Sequence, residues 1–184
     1  PEVVLYPSTV TLGGTLYVPH NRLDVLPSTW PAGTTATRTP TSGVPPYTYA
    51  SSNAGIATVD GVGQVAARQN GTVSITVSDA LGRSGSYQVI VSAVLTCVGF
   101  TTSRYPQAVT ALNAAGCRMP SLNELQAIYG LYGARWPQGN DFCWSNTSSG
   151  LNHNWVKNLV TGQEGSAVNT TLPGSLCLST GLRG

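Results

Sequence analysis

The chain has 184 residues, of which 41% are hydrophobic, and this is enough for two modest cores because domains commonly hold roughly 100 residues each. Only 9% of the residues are charged and the net charge is +2, so bulk electrostatics would not attract nucleic acid or another polyanion. No apolar run approaches the roughly 20 residues that cross a bilayer, and Pro1 does not open a signal peptide. We therefore expect an excised fragment that does not itself span a membrane.

The first half of the chain has the pattern of an antiparallel β-sandwich. From Val3 to Ser92, apolar and polar residues alternate between turn signals. The clearest strands carry the apolar sets Val73, Ile75 and Val77, and Tyr87, Val89 and Val91. Asp79–Gly82 predicts the turn between them, because these residue types tolerate tight backbone geometry. Proline removes a ladder hydrogen bond, so we expect loops or sheet edges at Pro40, Pro45 and Pro46.

Four short motifs in this half resemble the bacterial immunoglobulin-like group 2 repeat. They are Ser51-Ser-Asn53, Ile56-Ala-Thr-Val-Asp60, Gly63-Gln-Val65 and Asn70-Gly-Thr72. The resemblance implies that residues 1–92 form an all-β immunoglobulin-like domain.

The second half begins with a predicted strand at Ala93–Phe100 and a helix at Tyr105–Ala115, which has an apolar stripe and ends at Gly116. No flexible linker separates Ser92 from Ala93, so we expect a stiff pair of domains. The alternative is that the joint is short only because the fragment was cut compactly, in which case its length says nothing about stiffness.

A second helix is predicted from Ser121, whose side chain and that of Glu124 are spaced for a reciprocal capping box. One face of this helix is apolar, and Gly130 and Gly133 are the predicted stop. The face consists of Leu122, Leu125, Ile128 and Tyr129. Strands are then predicted around Trp144, around Trp155 and at Ala167–Thr171, and a last strand around Cys177 lies beside the first.

The cysteines at 97, 117, 143 and 177 contain no Cys-x-x-Cys pair of the kind that binds zinc or acts in redox exchange. Their even number, in a chain poor in charge, favours disulfides and an oxidising, extracytoplasmic location.

The order of helix, cysteine, Pro120-Ser121-x-x-Glu124-Leu125 helix, Trp144-Ser145 strand and cysteine-bearing last strand resembles the C-type lectin-like tip of intimin and invasin family adhesins. The resemblance implies that residues 93–184 form an α+β C-type lectin-like domain. It also implies a virulence-associated adhesin, displayed outside the bacterial outer membrane and anchored through upstream sequence. Such a tip binds a protein receptor on a target cell, and residues 1–92 would be its rigid spacer.

The same resemblance implies a disulfide between Cys117 and Cys177. Cys97 and Cys143 then remain for a second bridge. The rival pairing is Cys97 with Cys177, because the first and last strands are neighbours in the family fold.

Candidate contact residues lie in the loop before Phe142, where Arg135 and Trp136 are residue types enriched in binding hot spots. Asn140 and Asp141 would be adaptable polar partners, and His153 is added as a surface loop residue. The alternative for Trp136 is a role in the core beneath the loop. A calcium site needs six to eight oxygen ligands, and Asp141 is the only acidic residue nearby, so we expect no metal and no cofactor.

Catalysis finds little support, because His20 and His153 lie in different predicted domains and neither belongs to a recognisable triad. We therefore predict a monomeric binding module and no enzyme. A first alternative is a calcium-independent lectin in which Trp136 stacks on a sugar. A second is a phage or diversity-generating receptor binder. An enzyme would be reconsidered if His153 had a perturbed pKa in a concave pocket next to Asp141 or a serine.

Overall fold

The computed structural model describes residue 3 and residues 8–184, and the chain divides into two compact units. The first unit contains Pro1–Val18, Trp30–Leu95 and Gly184, and the second contains Pro19–Thr29 and Thr96–Arg183. The division of the chain into domains at residues 1–92 and 93–184 stays a prediction. The units differ from them mainly in the segment Pro19–Thr29, which groups with the second unit.

The first eight strands occur in chain order as β1 Thr9–Leu12, β2 Leu16–Pro19, β3 Thr35–Thr37, β4 Thr48–Ser51, β5 Ala57–Val59, β6 Gln64–Ala67, β7 Gly71–Ser78 and β8 Ser84–Val91. One sheet has the order β1-β8-β7-β4 and the other has the order β3-β6-β5. The predicted hairpin of β7 and β8 is confirmed, with the apolar face of β7 buried. Strand β1 lies parallel to β8. The prolines expected in loops all lie outside strands.

The turn between β7 and β8 is built around the buried Asp79 carboxylate. Its Oδ2 accepts hydrogen bonds from Arg83 Nε at 2.8 Å and from the Val44 amide at 3.1 Å. Its Oδ1 accepts from the amides of Leu81 and Arg83, each at 2.9 Å. The carboxylate therefore replaces backbone partners for three amides and fixes the turn that the sequence predicted.

Burial alone would raise the pKa of Asp79, but hydrogen bonds from Arg83 and from the surrounding amides outweigh it and lower the pKa to about 2. The unfolded chain therefore binds this proton more tightly than the folded one. The stability that Asp79 contributes is complete above about pH 4 and is lost as the pH falls towards about 2.

We expect Asp79→Asn to lower the thermal unfolding midpoint at pH 7, because the NH₂ group that replaces one carboxylate oxygen cannot accept from the donors of that oxygen. The difference from the unchanged protein should shrink between about pH 4 and pH 2, where Asp79 becomes protonated. Circular dichroism melts at several pH values measure both effects. The matched control is Asp24→Asn, which removes an exposed carboxylate whose ion pair with Arg22 is open to solvent. Equal pH dependence in the Asp79→Asn variant and the unchanged protein would contradict this assignment.

The later elements are β9 Val94–Ser103, α1 Tyr105–Ala114, α2 Leu122–Tyr132, a 3₁₀ turn at Gly133–Arg135, β10 Phe142–Gly150, β11 His153–Asn158, β12 Glu164–Val168 and β13 Cys177–Arg183. Within the second unit the strands have the order β12-β11-β10-β13-β9. The predicted pairing of the last strand with the first is confirmed, since β13 lies antiparallel to β9. The strand predicted at Ala167–Thr171 lies three residues earlier, where β12 spans Glu164–Val168. Neither helix in the described part of the chain is long and apolar enough to cross a membrane.

The core of the second unit forms around Trp144, which is fully buried. Its indole Nε1 donates to the Ser103 carbonyl at 2.9 Å, and its ring packs edge-on against Tyr105 at 5.3 Å. The predicted stripe of α1 contributes the buried side chains Ala108 and Leu112. One indole therefore connects β10, the end of β9 and the start of α1.

Helix α2 begins with the predicted capping box. The Glu124 amide donates to Ser121 Oγ at 3.2 Å, and the Ser121 amide donates to Glu124 Oε2 at 2.8 Å. Arg118 adds two hydrogen bonds to the same carboxylate, at 2.9 and 2.6 Å. Gly133, at φ 50°, is the C-cap, whereas Gly130 lies inside the helix and is not a stop.

We expect Ser121→Ala to lower the free energy of unfolding by about 1 kcal/mol, because the Glu124 amide loses its side-chain acceptor. Chemical denaturation followed by circular dichroism measures the change. Asn123→Ala is the matched control, since Asn123 is exposed on the same first turn. Equal stability of the two variants would contradict a stabilising capping box.

Lys157 is buried and connects α2 to the β11–β12 hairpin. Its Nζ donates to the Gly162 carbonyl at 2.9 Å and to Glu164 Oε1 at 3.0 Å, and it lies 5.0 Å from the Tyr129 ring centroid. The Tyr129 ring is so close to Gly162, at φ 79°, that a Cβ there would meet it at 2.5 Å. The turn at Thr161–Gly162 between β11 and β12 therefore requires this glycine.

All four cysteines are buried free thiols, so the disulfide implied between Cys117 and Cys177 is not formed. Cys117 lies against Gly181, because its Cβ is 2.6 Å from the point where a Gly181 Cβ would stand. Cys177 lies four positions along β13 from Gly181, a distance of about 13 Å. A disulfide requires Cα atoms within about 7 Å, so the observed register does not bring Cys117 and Cys177 together, and their pairing stays a prediction of the resemblance.

The two other pairings are also absent, for the same reason of strand register. Cys97 is opposite Leu182, whereas Cys143 is paired with Leu178 on the other side of β13. Cys97 and Cys143 therefore lie on opposite sides of β13, and the β13 residues that they pair with are four positions apart. Cys177 lies five positions along β13 from Leu182, which places it roughly 16 Å from the residue opposite Cys97.

Burial raises the pKa of each thiol, to about 12 for Cys143 and to about 11 for Cys177. Burial also raises the pKa of Cys97 and Cys117. Because the thiolate is the reactive form, we expect little reaction with Ellman's reagent at pH 8 in the folded protein. After denaturation without reductant, four thiols per chain should react. Protein exported to an oxidising compartment is the appropriate sample, and a count of two or none would overturn the free-thiol state.

Candidate functional site

Large apolar side chains are exposed on two loops of the second unit. Leu151, in the turn between β10 and β11, is 88% exposed. Leu172 and Leu176, in the segment Asn169–Leu176 between β12 and β13, are 77% and 59% exposed. Single exposed leucines are normal on protein surfaces, whereas a group of them on adjoining loops marks a contact site. We call this group, with Asn152 and His153, the loop surface.

Two asparagines join the loops to each other and to the sheet. The Asn169 amide donates to the Asn152 carbonyl at 2.9 Å, and Asn169 Nδ2 donates to Asn154 Oδ1 at 2.7 Å. Asn154 is buried, and its own Nδ2 donates to the Ser145 carbonyl at 2.7 Å. These bonds fix the position of the loops, since a buried amide with satisfied partners loses energy if it moves.

The segment before β13 is also closed on itself. The Val168 amide donates to Ser175 Oγ at 2.9 Å, and the Ser175 amide donates to the Val168 carbonyl at 3.0 Å. Thr170 Oγ1 donates to the Pro173 carbonyl. A Cβ on Gly174 would lie 2.0 Å from the Thr170 carbonyl oxygen, so only glycine allows this close turn. Leu172 and Leu176 are therefore displayed by an ordered loop.

His153 lies at the base of the β10–β11 turn. Its ring Nδ1–H donates to the Leu151 carbonyl at 2.7 Å, which orients the turn. Neither residues 148–154 nor residues 168–176 contain Asp, Glu, Lys or Arg. The two loop segments therefore contribute no carboxylate, ammonium or guanidinium group of their own, and contact with their leucines would depend on shape and apolar area.

Of the residues predicted to bind, Arg135 has a structural role. Its Nη2 donates to Ser28 Oγ at 2.6 Å and to the Leu131 carbonyl at 3.1 Å, and its Nη1 donates to the Leu26 carbonyl. The guanidinium thus attaches the segment Pro19–Thr29 to the end of α2. This use of its donors leaves Arg135 little capacity as a contact residue.

Trp136 is only 4% exposed, and its ring packs against Tyr132 at a centroid distance of 5.7 Å. Its burial agrees with the role in the core beneath the loop that the sequence analysis also gave for Trp136, and its role as a contact residue stays a prediction.

Asn140 and Asp141 are exposed before β10, where Asn140 Oδ1 accepts from Asn158 Nδ2 at 3.0 Å and Asp141 Oδ1 accepts from the Phe142 amide at 2.7 Å. They lie beside one end of β11, whereas His153 lies at its other end, about 17 Å away. The structure therefore does not bring His153 together with the other predicted contact residues. The described residues contain no cluster of three or more His, Cys, Asp or Glu side chains arranged for a metal ion.

The residues that sequence analysis missed are the three exposed leucines. Leu151 and Leu172 are each a single large apolar residue within a run of Ser, Thr, Asn, Gly and Pro, as in Ser149-Gly-Leu-Asn152 and Thr171-Leu-Pro-Gly-Ser175, whereas Leu176 directly precedes Cys177 and Leu178. Such a residue has no periodic apolar neighbours with which to enter a core. That isolation is the signal that could have identified them.

Comparison with known proteins first defines the class of the first unit. Residues 31–81 match the family model described as the immunoglobulin-like domain of intimin. This region is therefore similar to the immunoglobulin-like domain of intimin, and its assignment to the group 2 repeat stays a prediction. No significant match was found among curated proteins.

Solved structures then define the fold of a larger part of the chain. An intimin mutant from EHEC O157:H7 is similar with 20% identity and a TM-score of 0.50 over 79% of this chain and 83% of that one. The C-terminal 282-residue fragment of intimin, in complex with the intimin-binding domain of the translocated intimin receptor, is similar with 20% identity and a TM-score of 0.54 over 84% of this chain and 59% of that one. The chain thus has the fold of the C-terminal region of intimin, and the predicted resemblance to the intimin and invasin family is confirmed.

Proposed function

We propose that this chain is the receptor-binding end of a bacterial surface adhesin, in which residues 93–184 form a C-type lectin-like head and residues 1–92 an immunoglobulin-like spacer. The similarity to intimin in fold and the intimin-type immunoglobulin-like domain support this proposal. We further propose that the protein is monomeric, is displayed outside the bacterial cell and binds without catalysis.

The observation that carries the proposal is the loop surface, where Leu151 and Leu172 are among the most exposed large apolar side chains. Exposed leucines are unfavourable in water, so their presence on two hydrogen-bonded loops favours a site that a partner covers. Because the loops are already ordered, little conformational entropy is lost when a partner binds.

The chemistry of the loop surface favours a protein receptor over a glycan. Apolar side chains on loops that have no charged residues of their own match an apolar depression on a protein, whereas sugars need hydrogen-bonding groups and an aromatic platform. Trp136, the residue considered for stacking on a sugar, is buried. The intimin fragment was solved in complex with a protein receptor domain, and by analogy we propose a protein receptor on a target cell.

The test is binding of the fluorescently labelled protein to a panel of animal cell lines, measured by flow cytometry. We expect Leu151→Asp and Leu172→Asp each to weaken binding about tenfold, because a charged carboxylate would be buried at an apolar contact. The double variant should weaken it further. Circular dichroism verifies that each variant is folded.

The matched control is Leu81→Asp, which changes a side chain of comparable exposure, 67%, in the first unit. We expect this variant to bind cells as the unchanged protein does. Unaltered binding of the Leu151→Asp/Leu172→Asp variant would remove the loop surface as the contact site. Equal loss in the Leu81→Asp variant would also contradict the proposal.

A further inference from the structure

Arg104 lies beside the loop surface, where β9 ends and α1 begins. Strand β13 is antiparallel to β9, with Cys177 opposite Ser103. Continuing this register by one residue places Arg104 next to Leu176. The Arg104 side chain also reaches Gly174, because its Cδ is 3.2 Å from the point where a Gly174 Cβ would stand. A guanidinium is therefore held against the loop that displays two of the exposed leucines.

The carboxylates of the second unit do not neutralise this charge. The unit contains four of them, and three form ion pairs with other cations. These three are Asp24, Glu124 and Glu164. The fourth, Asp141, accepts a hydrogen bond from the Phe142 amide and forms no ion pair with Arg104. Within residue 3 and residues 8–184, Arg104 thus has no carboxylate partner.

The position of Arg104 makes an unpaired cation unfavourable. Arg104 is the N-cap of α1, and the N-terminus of a helix already carries a partial positive charge. The first turn of α1 contains no acidic residue that could compensate. Arg104 Nε is buried and has no hydrogen-bond partner in the described structure. A group in this state calls for an explanation, and an anion that another molecule supplies would provide it.

From this arrangement we infer that the protein receptor presents an Asp or Glu side chain beside its apolar contact residues, and that this carboxylate pairs with the Arg104 guanidinium. Arg104 is partly exposed and its terminal nitrogens are not buried, so a partner can reach them. A carboxylate can accept from two N–H groups of one guanidinium, which fixes the orientation of the partner. This inference rests on the proposed function, because it names the chemistry of the partner at the same loop surface.

The leucines and Arg104 would contribute different properties to the contact. Burial of the leucines supplies most of the affinity, whereas a single charged pair selects the partner and speeds association. A receptor with Lys at the corresponding position would be disfavoured by repulsion between like charges. Because salt screens an ion pair that is open to solvent, binding should weaken as the ionic strength rises.

The test is binding of the labelled protein to the same cells, by flow cytometry, at about 50 mM and about 300 mM sodium chloride. Binding of the unchanged protein should weaken at the higher concentration. We expect Arg104→Gln to bind about fivefold more weakly at the lower concentration, the effect of losing one partly exposed ion pair. Its binding should respond little to salt, since the charge that salt screens is absent.

Arg183→Gln is the matched control, because it removes the same charge from an exposed arginine at the other end of β13. This variant should match the unchanged protein in affinity and in salt response. Arg104→Lys keeps the charge but loses the paired geometry of the guanidinium. It should retain the salt response and bind within about threefold of the unchanged protein. Circular dichroism verifies the fold of each variant.

The inference is overturned if Arg104→Gln is folded and keeps the affinity and salt response of the unchanged protein while the Leu151→Asp/Leu172→Asp variant loses binding. In that outcome the loop surface remains the contact site, so the two proposals fail separately. An equal loss in Arg183→Gln would also contradict it, since general attraction to the cell surface would then explain the salt response. Loss of binding after sialidase treatment of the cells would replace the Asp or Glu side chain with the carboxylate of an acidic sugar.

Discussion

The register of β13 is the constraint on which the second unit depends. This strand lies antiparallel to β9 on one side and parallel to β10 on the other, so it joins the start of the unit to the strands that follow the helices. Its predecessor β12 lies at the far edge of the sheet, beyond β11 and β10. The chain must therefore cross two strands before β13 begins, and no tight hairpin can make that connection. The segment Asn169–Leu176 exists because of this crossing, and it displays Leu172 and Leu176.

The polar interactions of the unit are concentrated where the chain would otherwise be free to move. Asn154 and Asn169 connect the two loops, Lys157 connects a hairpin to α2, and Arg135 attaches the segment Pro19–Thr29. With only 9% of the residues charged, few side chains remain for a charged surface. The loop surface that we propose as a contact site therefore relies mainly on apolar area rather than on charge.

Features that depend on neighbouring residues were predictable from the sequence. The capping box links Ser121 and Glu124 over three positions, and the Asp79 turn joins two strands whose alternation is evident. The pairing of the last strand with the first was also anticipated, through the family resemblance. The strands that were predicted individually, and both helices, consequently appear where the patterns place them, with differences of a few residues at their ends.

Features that depend on register and distant contacts were not predictable. A shift of a few residues along β13 decides whether Cys117 faces Gly181 or Cys177, and nothing in the spacing of the cysteines determines that shift. Arg135 contacts Ser28 across more than a hundred positions, so its hot-spot composition misled the search for a contact site. The leucines of the loop surface were not predicted, because hot-spot composition points to Trp and Arg. This fold buries Trp136 and uses Arg135 in internal hydrogen bonds.

The burial of Lys157 has a consequence for survival in protease-rich surroundings. Between Arg135 and Arg183, Lys157 is the only residue after which a trypsin-like protease cuts. Its side chain is buried in the hairpin rather than exposed in a flexible segment. Cleavage there would require local unfolding of β11, since a protease must draw an extended segment into its cleft. The stretch that carries the exposed leucines is thereby shielded from trypsin-like proteases for as long as the fold persists.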